Sequence, residues 1–314
     1  MIQYLPYEKI DKHRWDECIA HSFNGIIYAY SWYLDTVCPG WSALVENDYE
    51  RVFPITSRKK FGINYLYQPC FSQQLGVFSK NVLNDNKVEH FLESIPKKFK
   101  LIEVNLNTYN KANISKFNFL ANKTYELDLI LSYENLYSNY TENNKRNIKL
   151  ALRSHLQIIP LDNADALIHI FRTHRGKTLT TLKDIDYEIL KRIIQISIFK
   201  KKAHILGIQT KTGNLCGGAV FIESNNKIIF LFSAVDKEAK TNGAMSFLID
   251  SFIKQNAQRN LTLDFEGSNN RELARFYRGF GSKECIYYQY RKNELPFILK
   301  KSITFIKWIR QKKN

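Results

Sequence analysis

Short apolar runs that alternate with polar residues are separated by stretches in which apolar residues recur every three or four positions. The chain therefore reads as a mixture of strands and amphipathic helices. Ile10, Trp15 and Ile19 predict a helix over 7–20. A second short helix over 29–37 is stopped by Cys38-Pro39-Gly40-Trp41. Strands follow over 42–47 and 51–60, joined at Asn47-Asp48, with a third extended piece over 61–69. Residues 72–79 read as a loop, 86–98 as a helix stopped near Pro96, and 101–107 and 123–130 as strands. Residues 132–155 start polar and become helical, with Ile148, Leu152 and His155 on one face. A strand over 156–162 precedes helices over 164–177 and 184–199, the second with Asp184 as its N-cap. Three strands over 203–235 are joined by Thr212-Gly213-Asn214 and Asn225-Asn226, which suit tight hairpins. Residues 233–281 read strand, loop, helix, strand, turn, short helix, and 283–292 is a last strand. No internal sequence repeat is present. Both halves nevertheless run in the same order: two helices, a meander of strands, then helix–strand alternation.

The expected organisation is an α/β (α+β) chain of two similar domains in tandem, each a mixed, largely antiparallel sheet flanked by helices. The boundaries are a first domain over 1–131, a connecting helical segment over 132–155, a second domain over 156–295 and a tail over 296–314.

Charge changes this picture. The net charge of +16 attracts polyanions: nucleic acid, an anionic membrane face or a phosphorylated ligand. It is densest from Arg291 to Asn314, where eight Lys/Arg face one acidic residue and Phe, Ile and Trp are interleaved. Leu299, Ile303, Ile306 and Arg310 share a helical face there, which suits a basic amphipathic helix on an anionic membrane. A terminal helix docked on the body is the alternative. No run of 18 apolar residues exists, and the first residues lack an apolar signal core. The expected location is the cytoplasm, with peripheral association at the inner membrane face. The five cysteines form no CxxC pair and the seven histidines no HExxH or HxH, so neither a disulfide framework nor a metal site is expected. The absence of Gly-x-Ser-x-Gly argues against a serine hydrolase.

The stretch from Ser233 to Gly281 carries the chemistry. A strand feeding a loop that opens a helix presents backbone N–H groups to an anion. Gly243 and Ala244 permit close approach of a phosphate, Lys237 and Lys240 add charge, and Asn242 completes the loop. An ordinary helix start capped by Thr241 or Asn242 is the competing reading. Alternation along Leu261–Glu266 places Asp264 and Glu266 on one face, where one carboxylate is a candidate general base. Both are otherwise solvated or paired with Arg271 or Arg275. Tyr277 shares a helix with Leu273, Phe276 and Phe280, as an acid partner or as an aromatic core residue. Tyr30, Trp32 and Gln68 belong to an aromatic and polar cluster in the first half that is expected to line an acceptor groove between the domains.

Three segments carry a resemblance: Tyr137–Ala151 (YSNYTENNKRNIKLA), Asn242–Asp250 (NGAMSFLID) and Leu263–Gly281 (LDFEGSNNRELARFYRGFG). The second half resembles the GNAT acyltransferase fold, and the whole chain resembles the FemABX-like tandem-GNAT transferases. The resemblance implies transfer of an acyl group from acetyl-coenzyme A or another acyl-coenzyme A to an amine, with a cell-envelope precursor as acceptor. The alternatives are an aminoacyl-tRNA donor in a Fem-type peptidoglycan aminoacyltransferase, and a non-catalytic module that binds nucleic acid or membrane. It further implies that Phe232, Ser233 and Ala234 hold the pantetheine arm and that Tyr277 serves the departing thiolate. Arg146 and Asn147, within the Fem-like stretch, become acceptor-binding candidates together with Asp264. The GNAT phosphate loop, Arg/Gln-x-x-Gly-x-Gly/Ala, aligns with Lys240, Gly243 and Met245; only the glycine matches. The long helical hairpin that some Fem-type proteins carry is missing.

Overall fold

The computed structural model describes residues 1–176, 182–267 and 269–296. It divides into two compact units: Met1–Asn122 together with the last strand from Ile286 onward, and Lys123–Cys285. The predicted tail helix lies outside the described residues apart from Pro296.

In the first unit, β1 (Ile2–Leu5), β2 (Ser42–Glu46), β3 (Arg51–Ile55) and the two-residue β6 (Phe78–Ser79) form an antiparallel sheet in that order. β4 (Ser57–Lys60), β5 (Ile63–Leu66), β7 (Phe99–Asn105) and the last strand β14 (Lys283–Asn293) run side by side in a second sheet. The helices are α1 (Lys12–His21), α2 (Ser31–Val37) and α3 (Asp85–Glu93). The predicted strand over 51–60 is therefore two strands in two sheets. β1 and β6 were not anticipated, because each is too short for its alternation to register. Trp15 and Trp41 are fully buried with ring centroids 4.6 Å apart.

The second unit begins on β8 (Phe119–Asp128) and continues through α4 (Tyr133–Ser138), α5 (Glu142–Arg153) and β9 (Gln157–Pro160). α6 (Asp165–Thr173), α7 (Asp184–Phe199), β10 (Ala203–Gln209), β11 (Leu215–Ser224) and β12 (Lys227–Val235) follow. α8 (Lys237–Thr241), α9 (Ala244–Asn256), β13 (Thr262–Asp264) and α10 (Arg271–Arg278) complete it. Its strand order is β8–β13–β12–β11–β10–β9, with only β12 and β13 parallel. Thr141 caps α5 and divides the predicted junction helix in two. Asp184 is the first residue of α7, and the cap is Lys183, whose N–H is received by Asp186.

The observed division differs from the predicted boundary at 131. β8 pairs with β13 and so joins the second unit, whereas β14 pairs with β7 and returns to the first. α9 anchors the second core with Leu248, Ile249, Phe252 and Ile253, and Phe252 stacks on Phe221 of β11 at 3.7 Å between centroids. Each such aromatic contributes roughly 1.5–3 kcal/mol by leaving water.

Candidate active site

β12 and β13 run together only from Lys227/Thr262 to Ile229/Asp264. Beyond that point Phe265 donates its N–H to Tyr125 of β8, so the chain turns away from β12. β12 itself continues to Val235, held on its other side by β11. Within this stretch Val220 faces Phe232 and Phe221 faces Phe230, which leaves Leu231 as an extra residue. Such a bulge bends a strand and increases its twist. A cavity of about 340 Å³ opens where the two strands part.

The β12 run from Phe230 to Val235 forms one wall of this cavity; Phe265, Glu266, Leu273 and Tyr277 face it, with Phe171, Arg175 and Met245 at the margins. The walls are mostly apolar. Among the lining residues Arg175 is the one base and Glu266 the one acid. Every second residue of an unaccompanied strand turns its N–H and C=O outward, so the β12 wall offers amide groups to an extended ligand.

Glu266 sits in the turn after β13 at φ +51°, the left-handed region. Its N–H donates to Oδ1 of Asp264 at 2.9 Å, and the same oxygen accepts the Thr124 hydroxyl at 2.6 Å. Oε1 of Glu266 is shut off from solvent with no hydrogen-bond partner among the described residues. Burial pushes its carboxyl well above the ordinary 4.5. Tyr277 is almost fully buried, with its ring stacked on Phe265 at 4.9 Å. Burial, and then the neighbouring Glu266 charge, push its phenol up to about 12, against the opposing pull of Arg175. Two titratable groups with raised affinities for protons thus flank one strand end in one cleft.

No family model and no curated protein matches the sequence. Solved structures do match. FemX superposes with a TM-score of 0.64 at 13% identity, over 91% of this chain and 96% of that one. L-PGS from Bacillus licheniformis gives 0.54 at 10% identity, over 97% and 98%. A tandem GNAT protein from the clavulanic acid biosynthesis pathway gives 0.54 at 9%, over 94% and 99%. The chain has the FemABX-like tandem-GNAT fold.

Within this tandem-GNAT fold the predicted residues separate into groups. Phe232, Ser233, Ala234, Glu266 and Tyr277 meet at the cavity. Asp264 does not. It is fully buried, 3.6 Å from the ammonium of Lys227, which also pairs with Glu126 at 2.6 Å. The left-handed turn at Glu266 breaks the alternation that had placed both carboxylates on one face. The expected anion loop is also different: Asp236 caps a short helix, α8, through Ala239 N–H, and Lys237 and Lys240 stand exposed on it. Asn242 lines a separate polar cavity, and its Oδ1 is buried without a partner among the described residues.

Gly243, rather than Thr241 or Asn242, is the cap of α9. Its φ is +76°, and the Asn147 carbonyl oxygen already fills the space a Cβ would take, so both features require glycine. Gly243 and Ala244 therefore serve the close packing of α9 on α5, and Met245, one residue on, is the part of this helix start that reaches the cavity. Asn147 meets Gly243 through its backbone, and Arg146 donates to Asn143 at 2.8 Å on the α5 surface. A glycine pair, Gly217–Gly218, lies within β11. It admits Ala234 and Val235 of β12 on one residue and Leu167 of α6 with Leu206 on the other.

Tyr30, Trp32 and Gln68 belong to the first unit. Tyr30 caps α2, Trp32 packs edge-on to Tyr33, and Gln68 joins the Asn105 N–H to the Ser72 carbonyl. Arg175, Phe171, Leu231 and Met245 are cavity residues that the sequence did not single out as binding residues. Arg175 and Phe171 come from α6 and its following loop, far along the chain from β12.

No helix among the described residues is long and apolar enough to cross a membrane, and no group of metal-ligating side chains occurs among them.

Proposed function

We propose that the chain is an N-acyltransferase that moves an acyl group from acyl-coenzyme A to an amine, with an amine-bearing cell-envelope precursor as the acceptor class. The observation that supports it is the meeting of Glu266, Tyr277 and the unaccompanied edge of β12 around one cavity. The apolar slot with outward amide groups suits a pantetheine-like arm, which is apolar with amide bonds along its length. The first turn of α9 and the exposed lysines of α8 are the candidates for the phosphate end.

In this reading the amine nitrogen bonds to the thioester carbonyl carbon as the C–S bond breaks. Glu266 takes the proton released by the attacking nitrogen, and the Tyr277 hydroxyl donates a hydrogen bond to the departing sulfur. Backbone N–H groups near Ser233 polarise the carbonyl. Because burial favours the protonated carboxyl of Glu266, the base form grows as pH rises, and turnover rises with it.

A second reading, with aminoacyl-tRNA as donor, is favoured by the net charge of +16 and by a phosphate loop in which only Gly243 matches. Melting the protein with and without acetyl-coenzyme A separates the two. A ligand at about 100 times its Kd stabilises by roughly 2.7 kcal/mol, a shift of several degrees. No shift at millimolar coenzyme argues against the first donor; binding of charged tRNA that falls steeply with salt supports the second. Absence of both leaves the non-catalytic module.

A further inference from the structure

The hairpin formed by β4 and β5 ends in a two-residue loop, Phe61–Gly62, because Lys60 pairs with Ile63. Both loop residues have positive φ, +50° at Phe61 and +77° at Gly62. A turn with both central residues left-handed favours Asn-Gly or Asp-Gly, and a bulky aromatic at its first position carries backbone strain. Phe61 gains nothing in exchange from packing: it is 91% exposed. A residue that is strained in its backbone and bare in its side chain is not there for the fold, and observed strain of this kind points to a role at a contact.

The surroundings indicate the contact. Arg58, Lys59 and Lys60 lead directly into the tip and are all exposed. Lys60 Nζ lies 5.4 Å from the Phe61 ring centroid. Further down, Arg58 stacks over Tyr67 at 4.3 Å, and Tyr65 and Tyr67 are half-buried with centroids 6.1 Å apart. From the tip inward the order is therefore one apolar ring, Lys60 and Lys59, then Arg58 level with Tyr65, and last Tyr67. A lipid interface presents the matching layers: acyl chains, anionic headgroups, and the boundary where tyrosines reside. A single-stranded nucleic acid would instead call for adjacent rings that stack successive bases, and the apex presents one.

We infer that the β4–β5 hairpin tip is a docking point for an anionic lipid surface, with Phe61 entering the headgroup–acyl boundary and Arg58, Lys59 and Lys60 meeting lipid phosphates. This surface is independent of the transferase reading and of the basic tail.

The test uses the full chain and vesicles of phosphatidylcholine with and without phosphatidylglycerol, read by co-sedimentation. The chain should bind the phosphatidylglycerol vesicles, and Phe61→Asn should weaken that binding about tenfold, the value of one withdrawn aromatic side chain. Phe61→Asn should also raise the melting temperature, since Asn suits the turn, so weaker binding does not reflect misfolding. Phe61→Trp should keep binding and show a blue-shifted emission on vesicles. Lys59→Glu with Lys60→Glu should cost about thirtyfold or more, at roughly 1 kcal/mol per withdrawn cation. Equal binding by the chain and Phe61→Asn overturns the inference, as does equal binding to vesicles without phosphatidylglycerol. Binding of single-stranded RNA that depends on Phe61 while vesicles do not would assign the tip to nucleic acid instead.

Discussion

Replacing Glu266 by Gln should make the protein more stable than the parent, increasingly so as pH rises. Glu266 is half-buried, but its Oε1 is shut off from solvent with no partner among the described residues, and burial raises the carboxyl's proton affinity well above the ordinary 4.5. The unfolded chain releases that proton near 4.5, while the folded chain keeps it to higher pH. Between these two values the folded state binds more protons, so the group's contribution is fully present below 4.5 and is lost as pH climbs toward the folded value. The loss accrues at about 1.4 kcal/mol per pH unit within that window. The amide of the Glu266→Gln variant does not titrate and shows no such slope. For a domain of this size each kcal/mol moves the melting temperature by about 2–4 °C, so the gap between variant and parent should widen by roughly 3–6 °C per pH unit. Thermal melts of both proteins in matched buffers from mildly acid to mildly alkaline pH would measure it. A gap that stays constant over this range refutes the view of Glu266 as a proton-holding acid, and removes the physical basis for its role as a tuned base.

Gly243→Ala should destabilise the second unit by about 2–4 kcal/mol in urea unfolding, because left-handed strain and overpacking add; the methyl would collide with the Asn147 carbonyl oxygen. A change near zero would mean that α5 and α9 are not in close contact there. Tyr277→Phe should lower turnover at least tenfold while leaving the melting temperature nearly unchanged, since the ring stack on Phe265 survives. With its phenol up to about 12, Tyr277 keeps its proton through neutral pH, so it should add no titration to the rate profile below about pH 11. Turnover equal to the parent would show that the hydroxyl is a spectator.

What the sequence disclosed depended on how local each determinant is. The hairpin at Asn225-Asn226 was legible because both residues favour positive φ, and both have it, +50° and +54°. The meeting of Glu266 and Tyr277 was legible because strand, turn and helix are consecutive. The turn at Glu266 was not, because its left-handed backbone is held by Asp264 and Thr124, and Thr124 is 140 residues away from Asp264. The bulge at Leu231 depends on the register against β11, which β12's own residues do not encode. α8 was hidden because five residues are too few for helical periodicity, although Asp236 ahead of Ala239 was a capping signal in plain view. Arg175 reaches the cavity through the placing of α6, to which no local pattern refers.

The return of β14 to the first unit has a consequence for how the protein is made. The sheet that contains β4, β5 and β7 receives β14 only after residues 283–293 have been synthesised, and the second unit up to Ser282 precedes them in the chain. On the ribosome, the N-terminal unit emerges first yet keeps the β7 margin open until β14 arrives, while the second unit is continuous in sequence. A chain terminated before Ile286 would therefore deprive β7 of its neighbour and leave the first unit unfinished.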